Sequence, residues 1–330
     1  MSNIVEDKSS KVLKMRILAN DGLSQMGKSK LEEAGFDVSE TKVAQEQLAN
    51  YINQNQIDVL LVRSATQVDK KIIENCESLK LIGRGGVGLD NIDVDYAKSK
   101  GIQVINTPAA SSESVAELVI GHLLNGVRFL ADANRNMPLD GDTKFKHLKN
   151  LYQKGIELKG KTLGIIGFGR IGQAVAERAI GMGMTVVFHD HHPEEREFIM
   201  DFFDGQKMTF KLSGIPMDEL LQRSDFISIH VPQTNGYVIG KEELQKLKSG
   251  TGIVNAARGG VLDEVALVEA LDSGKVAFAG LDVFESEPKP EIRILMHPKI
   301  SLSPHIGGST VEAQDRIGLE LAEQIISILQ

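Results

Sequence analysis

The chain has 330 residues, of which 42% are hydrophobic, 25% charged and only 5% aromatic. This length exceeds what one compact core usually holds, so two domains are expected. The 37 lysines and arginines against 45 aspartates and glutamates leave a formal charge of −8, which argues against general affinity for nucleic acids or membranes.

The single cysteine and the N-terminal segment exclude further classes of protein. Cys76 cannot form an internal disulfide or build a cysteine-based zinc site alone. Residues 1–14 are polar and charged, which predicts no signal peptide, and no window approaches the roughly 20 apolar residues that a membrane helix needs. We therefore expect a soluble cytoplasmic protein without a membrane or nucleic-acid partner.

Short apolar runs rich in β-branched residues alternate with amphipathic stretches along most of the chain. This alternation is typical of parallel α/β architecture and predicts two doubly wound parallel-sheet domains, the first of five strands. Strands are predicted at 16–19, 57–62, 79–82, 103–105, 162–166, 185–188, 226–231, 252–255, 277–283 and 300–302. Helices are predicted at 24–34, 69–77, 111–135, 170–180, 241–247, 264–271 and 310–329, and a loop rich in lysine and aspartate follows residue 135.

A G-x-G-x-x-G pattern occurs at Gly167, Gly169 and Gly172, between a predicted strand and a predicted helix. In a dinucleotide-binding turn, the first glycine permits the tight turn and the second removes a side chain where pyrophosphate approaches. The third glycine lets the helix pack on the strand. The helix N-terminus adds free N–H groups and the positive end of its dipole, so a dinucleotide site is predicted here.

Asp190 ends the next predicted strand. A carboxylate at this place accepts hydrogen bonds from the ribose hydroxyls and repels a 2′-phosphate, which predicts NAD in preference to NADP. The neighbouring His189, His191 and His192 resemble metal ligands only by proximity. Strand alternation and the turn-like sequence His191-His192-Pro193 point them apart, so no metal site is predicted.

Three segments of the second half end at one edge of the predicted sheet and carry Arg258, Glu287 and His305. Ligands of open parallel sheets lie beyond the carboxyl ends of the strands. An arginine can hold a substrate carboxylate with two hydrogen bonds, and a histidine can exchange a proton with an alcohol or carbonyl. A paired glutamate would favour the imidazolium and fix its orientation.

The motifs GFGRIG, HD, HVPQT, NAARGG, DVFESEP and SPHIGG, in this order, resemble the D-isomer-specific 2-hydroxyacid dehydrogenase family. The resemblance extends from about residue 15 onward. It implies a Rossmann-type NAD domain, residues 107–302, inserted into a flavodoxin-like substrate domain, residues 1–106 and 303–330. It also implies hydride transfer to C2 of a 2-oxo acid while His305 donates a proton.

The same resemblance implies which residues form the site. The catalytic places of the family fall on Arg258, Glu287 and His305. NAD contacts are expected from Gly167, Gly169, Arg170, Ile171, Gly172, Asp190, Val231, Pro232, Thr234, Ala256, Ala257, Arg258, Asp282, His305, Gly307 and Gly308.

Within the family, the stretches VRSAT and GRGGVGLDNID resemble the phosphoglycerate dehydrogenases. That branch implies a phosphorylated 2-hydroxy or 2-oxo acid, the first step of serine biosynthesis, and Arg63 and Arg84 as the cations that bind the phosphate. Arg63 could instead be a surface salt-bridge partner, and the roles of Lys144 and Lys146 stay open. Substrate contacts are expected from Arg63, Ser64, Arg84, Gly85, Val87, Gly88, Asn106, Arg258 and His305.

Two alternatives to this function remain open at the level of sequence. One is a glyoxylate/hydroxypyruvate reductase of the same family, and the other is an NAD-sensing corepressor that works by protein–protein contact. The chain stops after its last predicted helix, so we expect a short form without a C-terminal regulatory domain. We expect it to assemble as a homodimer or homotetramer.

Several polar residues allow a structural interpretation beside a functional one. Glu285 lies two residues before Glu287 and competes with it as the catalytic carboxylate. Asp282 could be a turn residue or contact the nicotinamide amide. We expect His122 to pack inside the long helix and His230 to lie at the adenine side. His147 and His297 are expected in solvated loops.

Overall fold

A computed structural model describes residues 14–192 and 194–330 of the chain. Segment 1–13, where no signal peptide is predicted, and Pro193, in the turn predicted after Asp190, lie outside the described residues. The described chain divides into two compact units: the residues up to Ser111 together with Val311–Gln330, and Ser112–Thr310. The domain boundaries expected from the sequence, at 106/107 and 302/303, stay a prediction.

The first unit is built on a parallel five-stranded sheet. Its strands are β1 (Arg16–Ala19), β2 (Asp37–Ser39), β3 (Val59–Val62), β4 (Leu81–Arg84) and β5 (Gln103–Asn106). Its helices are α1 (Gln25–Glu33), a 3₁₀ turn (Gln45–Gln47), α2 (Leu48–Gln54), α3 (Lys70–Glu74), α4 (Val94–Ser99) and the C-terminal α13 (Val311–Leu329). The strand order β2-β1-β3-β4-β5 is that of flavodoxin-like sheets, and apolar cores cover both faces.

The C-terminal helix α13 is part of the core of the first unit. It crosses α1 so closely that a Cβ added to Gly27 would lie 2.6 Å from the backbone of Gly318. Leu321 and Ile325 of α13 are buried in the same apolar cluster as Ile17 of β1. The amphipathic face of this helix therefore completes one side of the sheet.

The second unit is built on a parallel six-stranded sheet with an added hairpin. Its strands are β6 (Thr162–Ile166), β7 (Thr185–His189), β10 (Phe226–Ile229), β11 (Thr251–Asn255), β12 (Val276–Leu281) and β13 (Ile300–Leu302), and the antiparallel hairpin is β8 (Arg196–Asp201) and β9 (Lys207–Leu212). Its helices are α5 (Ser112–Arg128), α6 (Leu130–Asp140), α7 (Phe145–Tyr152), α8 (Arg170–Gly181), α9 (Met217–Arg223), α10 (Lys241–Lys246), α11 (Glu264–Asp272) and α12 (Ile292–Leu295).

The sheet of the second unit has the order β13-β12-β11-β10-β6-β7. The chain order reverses between β6 and β10, which is where Rossmann folds bind dinucleotides. Apolar cores again cover both faces of the sheet. The predicted fold class, two doubly wound parallel sheets with a Rossmann-type unit, is confirmed.

The single helix predicted over 111–135 is wrong. Helices α5 and α6 meet at Phe129 with a bend of 57°, and Phe129 adopts the left-handed conformation with φ of 57°. The side chain of Asn125 accepts the backbone N–H of Ala131 at 2.6 Å, which caps the new helix. Within the described residues no single helix is long and apolar enough to cross a membrane, and only the bent pair of α5 and α6 together meets that length and composition.

The prediction lacks several elements that the structure contains, namely β2, α2, α4, α7, α9, α12 and the β8–β9 hairpin. The loop expected after residue 135 contains α7, whose only buried residue is Leu148. The β8–β9 hairpin was not predicted, although Met208, Phe210 and Leu212 of β9 alternate with polar residues, which is the pattern of a half-buried strand.

Candidate active site

Four neighbouring strands of the second unit end in register. Ile229 pairs with Asn255, Asn255 with Leu281, and Leu281 with Leu302. The loops that carry the predicted site residues therefore begin at one edge of the sheet, directly after β10, β11, β12 and β13. The glycine-rich turn after β6 lies at the same edge, since Ile166 pairs with Ile229.

The three glycines of the motif, which runs from the end of β6 into the first turn of α8, differ in what surrounds them. Gly167 has φ of 90°, and a Cβ there would lie 2.6 Å from the carbonyl oxygen of His230. A Cβ on Gly172 would lie 2.3 Å from the carbonyl oxygen of Gly167, whereas a Cβ on Gly169 would meet no heavy atom within 4 Å. The fold itself therefore requires Gly167 and Gly172, while Gly169 leaves open space before the first turn of α8.

Asp190 follows β7, and its carboxylate reaches back to the glycine turn. Oδ2 accepts the backbone N–H of Phe168 at 2.7 Å, and Oδ1 accepts that of His192 at 3.2 Å. Burial opposes ionisation, but the hydrogen bonds outweigh it and hold the pKa of Asp190 below its usual value. Asp190 is thus an anion with lone pairs left to accept hydroxyl hydrogens.

His305 and Glu287 form a hydrogen-bonded pair. Nδ1 of His305 lies 2.8 Å from Oε2 of Glu287, and Oε1 of Glu287 accepts the backbone N–H of Phe284 at 3.0 Å. The two side chains are 38% and 36% exposed. The imidazole is therefore held in one orientation while it keeps access to a ligand, as proton exchange requires.

Glu285, the competing carboxylate, is engaged elsewhere. Its Oε1 accepts the backbone N–H of Glu264 at 2.9 Å, and its Oε2 accepts the hydroxyl of Tyr237 at 3.3 Å. The structure thus brings Glu287, and not Glu285, to His305.

Asp282 is buried behind the loop that carries His305. Its Oδ1 accepts the hydroxyl of Ser303 at 2.6 Å and the N–H of Ile306 at 2.9 Å, and its Oδ2 accepts the N–H of Gly307 at 2.8 Å. Its carbonyl oxygen accepts the N–H of His305, also at 2.8 Å. These bonds anchor the loop, and the expected contact of Asp282 with nicotinamide stays a prediction.

Arg258 lies in the turn after β11 and is half-buried. The side chain of Asn255 shapes this turn, because its Oδ1 accepts the N–H of Ala257 at 3.1 Å and its Nδ2 donates to the carbonyl of Arg258 at 2.9 Å. Nη1 of Arg258 donates to the carbonyl of Ala257 at 2.7 Å. Arg258 therefore lies at the same sheet edge as the His305 loop.

In the first unit, the predicted substrate residues lie at the carboxyl ends of three adjacent strands. Val62 pairs with Arg84, and Arg84 with Asn106. Nε of Arg84 donates to Oδ1 of Asn91 at 3.2 Å, and Nδ2 of Asn106 donates to the carbonyl of Val87 at 2.6 Å. Ser64 follows β3, and Gly85 and Gly88 follow β4.

Arg63 is half-buried, and its backbone is firmly held. Its N–H donates to Oδ2 of Asp21 at 2.7 Å, and its carbonyl accepts from Nδ2 of Asn91 at 2.7 Å. Within the part of the chain that the structure describes, its guanidinium forms no hydrogen bond. Burial lowers the pKa of Arg63, although the nearby Asp21 opposes this. A partly desolvated guanidinium without an acceptor is suited to an anionic ligand.

Comparison with known proteins defines the family. The sequence profile for "D-isomer specific 2-hydroxyacid dehydrogenase, NAD binding domain" matches residues 120–307. The chain belongs to this family. It is accordingly an NAD-dependent D-2-hydroxyacid dehydrogenase, as the order of its motifs predicts, and its second unit contains the NAD-binding domain.

The relatives of this dehydrogenase include enzymes with different substrates. A hydroxypyruvate reductase of Thermotoga maritima is 44% identical over 320 residues, covering 95% of this chain and 98% of the relative. A D-3-phosphoglycerate dehydrogenase of Methanocaldococcus jannaschii is 43% identical over 319 residues, covering 96% of this chain but only 58% of the relative. The solved structure of a glyoxylate reductase of Paecilomyes thermophila matches with a TM-score of 0.77 at 30% identity, with 95% of each chain covered.

The dinucleotide of this family fits the residues present. The open space at Gly169 and the anionic Asp190 suit a pyrophosphate and a ribose, respectively. At the same edge, the buried Nδ1 of His230 has no hydrogen-bond partner among the described residues, and burial lowers the pKa of this imidazole to about 3. A neutral ring with an unsatisfied nitrogen beside the glycine turn suits a polar ligand.

The other predicted NAD residues lie around this edge at different depths. Arg170, Pro232 and Thr234 are exposed, Ile171, Val231 and Gly308 are half-buried, and Ala256, Ala257 and Gly307 are buried. Lys144 and Lys146 lie at the start of α7, where Lys144 pairs with Asp140 at 3.0 Å. Among the described residues, no group of three or more His, Cys, Asp or Glu side chains could hold a metal ion.

For the histidines outside the site, the structure agrees with some of the expectations from the sequence and contradicts others. His297, expected in a solvated loop, is only 9% exposed, and its ring contacts Asp272 at 3.4 Å and the N–H of Lys299 at 3.2 Å, so that expectation is wrong. His122 is buried in α5, but it also forms hydrogen bonds that sequence reasoning missed. The available signal was one polar side chain on the apolar face of a long helix.

Proposed function

We propose that this dehydrogenase interconverts 3-phosphoglycerate and 3-phosphohydroxypyruvate. The observation that carries the proposal is the half-buried guanidinium of Arg63, which has no hydrogen-bond acceptor in the described chain. A phosphate adds negative charge to the substrate, and arginine binds phosphate with two parallel hydrogen bonds. Arg84, at the end of the neighbouring strand, supplies a second cation.

His305 moves the proton in this proposal. Its Nδ1 is bound to Glu287, which leaves Nε2 for the substrate oxygen. Glu287 orients the ring, whose protonated form donates to the developing alkoxide during reduction and whose neutral form accepts the hydroxyl proton during oxidation. Arg258 holds the substrate carboxylate and polarises the neighbouring carbonyl. Bound NADH supplies the hydride for C2 of the 2-oxo acid.

A turnover panel tests the substrate. Reduction of 3-phosphohydroxypyruvate, hydroxypyruvate, glyoxylate and pyruvate with NADH is compared for the wild type, Arg63→Ala and Arg63→Lys. Hydrogen bonds to charged groups contribute about 1.5–3 kcal/mol, so Arg63→Ala should lower kcat/KM for the phosphorylated acid about 10- to 100-fold and that for hydroxypyruvate less than about 3-fold. Arg63→Lys should restore part of the loss, because it keeps the charge without the planar fork.

Arg223→Ala is the matched control for the panel, since it removes an exposed arginine that pairs with Glu219 on α9. This variant should match the wild type on all four acids. Equal rates on phosphorylated and unphosphorylated acids, unchanged in Arg63→Ala, would contradict the phosphate assignment. Turnover of any of the four acids excludes the corepressor alternative.

Reduction of unphosphorylated hydroxypyruvate is the second candidate function. It is favoured by the relative of that name, which is 44% identical and aligned over 98% of its length. A kcat/KM for hydroxypyruvate above that for 3-phosphohydroxypyruvate would replace the first candidate with this one.

We also propose that the dehydrogenase is a homodimer through the region of α5 to α7. Phe129, Leu139 and Phe145 are 38%, 76% and 59% exposed there. A cavity of about 310 Å³ in this region is lined by Phe129, Tyr152 and Phe278, among others. A second copy would cover this apolar patch. Light scattering of the wild type should give a particle mass of twice the 36.0 kDa chain mass. The Leu139→Glu variant should give a lower particle mass. A wild-type particle mass equal to that of one chain would contradict the dimer.

A further inference from the structure

A line of hydrogen bonds connects α5 to the loop after β13. Nδ2 of Asn125 lies 2.7 Å from Oγ of Ser301, which lies 2.9 Å from Nδ1 of His122. Nε2 of His122 lies 2.9 Å from Oγ of Ser303, which lies 2.6 Å from Oδ1 of Asp282. His122, Ser301 and Asp282 are buried, so each of their polar atoms needs a partner from the protein.

The donor and the acceptor of each hydrogen bond in this line can be assigned by starting from Asp282. The carboxylate of Asp282 only accepts, so the hydroxyl of Ser303 donates to it, and Nε2 of His122 must therefore donate to Ser303. Nδ1 of His122 is then an acceptor for the hydroxyl of Ser301, whose oxygen accepts from the amide of Asn125. That amide is itself oriented, because its oxygen caps α6. Burial lowers the pKa of His122, although Asp282 opposes this, which agrees with the neutral ring that the line requires.

The line ends on the group that holds the His305 loop. Asp282 binds the N–H groups of His305, Ile306 and Gly307 through its carbonyl and both carboxylate oxygens. His305 itself has φ of 54°, a conformation that a residue with a Cβ rarely adopts. Such a conformation persists only where the surrounding contacts determine it, and here these contacts come from Asp282.

We propose that His122, acting through Ser303 and Asp282, is a positioning residue for His305. The donor Nε2–H of His122 fixes the hydroxyl of Ser303 so that its hydrogen points at Asp282, and Asp282 fixes the loop. The inference rests on the proposed proton transfer by His305. His122 touches neither substrate nor cofactor in this proposal, and its effect is on the orientation of another imidazole.

Two variants break the line at different bonds. His122→Leu fills a similar volume without a donor, and Ser303→Ala removes the hydroxyl that joins His122 to Asp282. By analogy with the hydrogen-bond partners of metal-binding histidines, whose loss typically costs about 10- to 100-fold, each variant should lower kcat by a factor of that order. NADH affinity should stay within about 3-fold of the wild type, since the glycine turn and Asp190 are unchanged. His122→Gln, which keeps a donor toward Ser303, should recover most of the rate.

Two readouts separate positioning from a general loss of structure. If His305 is misplaced, the solvent deuterium isotope effect on kcat should rise and the pH profile of kcat should shift, because proton transfer limits the rate more strongly. Ser224→Ala is the matched control, since it removes a buried serine hydroxyl whose hydrogen bond, among the residues that the structure describes, is to the carbonyl of Leu220 in α9. It should leave kcat, isotope effect and pH profile unchanged.

The outcomes distinguish this inference from the proposed function. Wild-type kcat and pH profile in Ser303→Ala overturn the positioning role, as does a loss of NADH affinity equal to the loss of kcat. Ser303→Ala alone decides if His122→Leu does not fold. His305→Gln is run in parallel: if it retains full activity, the proposed proton transfer fails, whereas an inactive His305→Gln beside a fully active Ser303→Ala refutes the positioning alone.

Discussion

Glu287 places Oε2 2.8 Å from Nδ1 of His305, while Glu285, two residues earlier, accepts the N–H of Glu264. Because Glu287 contacts His305 and Glu285 contacts Glu264, substitution by glutamine should have different effects on kcat at positions 287 and 285. Acid–base catalysis contributes about 10²–10⁴-fold, so Glu287→Gln should lower kcat by roughly 10²-fold, because the imidazolium loses its counter-charge. Steady-state kinetics measures this, and Glu285→Gln serves as the control. Equal effects of the two substitutions would contradict the assignment.

Substitutions at Gly169 and Gly172 should separate an effect on NADH binding from an effect on protein stability. Gly169→Ala places a methyl group in open space, so the melting temperature should stay near that of the wild type. NADH affinity should fall about 10-fold or more, because the methyl group occupies the place of the pyrophosphate. Gly172→Ala forces a Cβ to within 2.3 Å of a carbonyl oxygen and should instead lower the melting temperature. Thermal unfolding and NADH titration of both variants provide the measurement. A Gly169→Ala variant that binds NADH normally would be inconsistent with a phosphate at this position.

Asp190 predicts the choice between NADH and NADPH. Asp190→Asn keeps an oxygen for the N–H of Phe168 but removes the charge that repels a 2′-phosphate. Since hydrogen bonds to a charged group contribute about 1.5–3 kcal/mol, the preference for NADH over NADPH should fall about 10-fold or more. The ratio of kcat/KM values for the two cofactors is measured, with Asp204→Asn in the exposed hairpin turn as the control. An unchanged ratio would show that Asp190 does not select the cofactor.

Asp21 predicts a stability effect with a defined pH dependence. Burial raises the pKa of its carboxyl, but hydrogen bonds from Lys42, the N–H of Arg63 and Thr66 outweigh this and leave the pKa below the usual 3.8. The unfolded chain then binds the proton more readily. The stabilisation is therefore complete above pH 3.8 and is lost as pH falls through the lower folded value.

Asp21→Asn tests this dependence. At pH 6 the variant should be less stable than the wild type by about 1–3 kcal/mol, because Lys42 and two N–H groups lose a charged acceptor. Urea unfolding at pH 6 and pH 3 should show that the difference shrinks at the lower pH. The exposed pair of Lys241 and Glu269 supplies the control, since Glu269→Gln should change little at either pH. A stability difference between wild type and Asp21→Asn that is larger at pH 3 than at pH 6 would contradict the lowered pKa of Asp21.

The sequence predicts the fold well where local signals act alone. Buried strands such as Val59–Val62 are continuous apolar runs, and Gly167 to Gly172 combine strand, turn and helix in one stretch. Phe129 shows the limit, because the break between α5 and α6 depends on a side-chain cap from Asn125 that no periodicity reveals. Glu285 and Glu287 are equivalent in sequence, and only the long-range contact with His305 separates them. The line from His122 to Asp282 joins three elements distant in the chain, so it is invisible before folding.

The place of α13 in the core of the first unit has a consequence for synthesis on the ribosome. Strands β1 to β5 emerge first, yet Leu321 and Ile325, which cover one face of their sheet, are translated after the whole second unit. Domains generally fold as their residues become available, so the second unit can close its core while the first still exposes apolar surface. The nascent chain should therefore need protection from aggregation longest at its earliest-made strands, until the last helix leaves the exit tunnel.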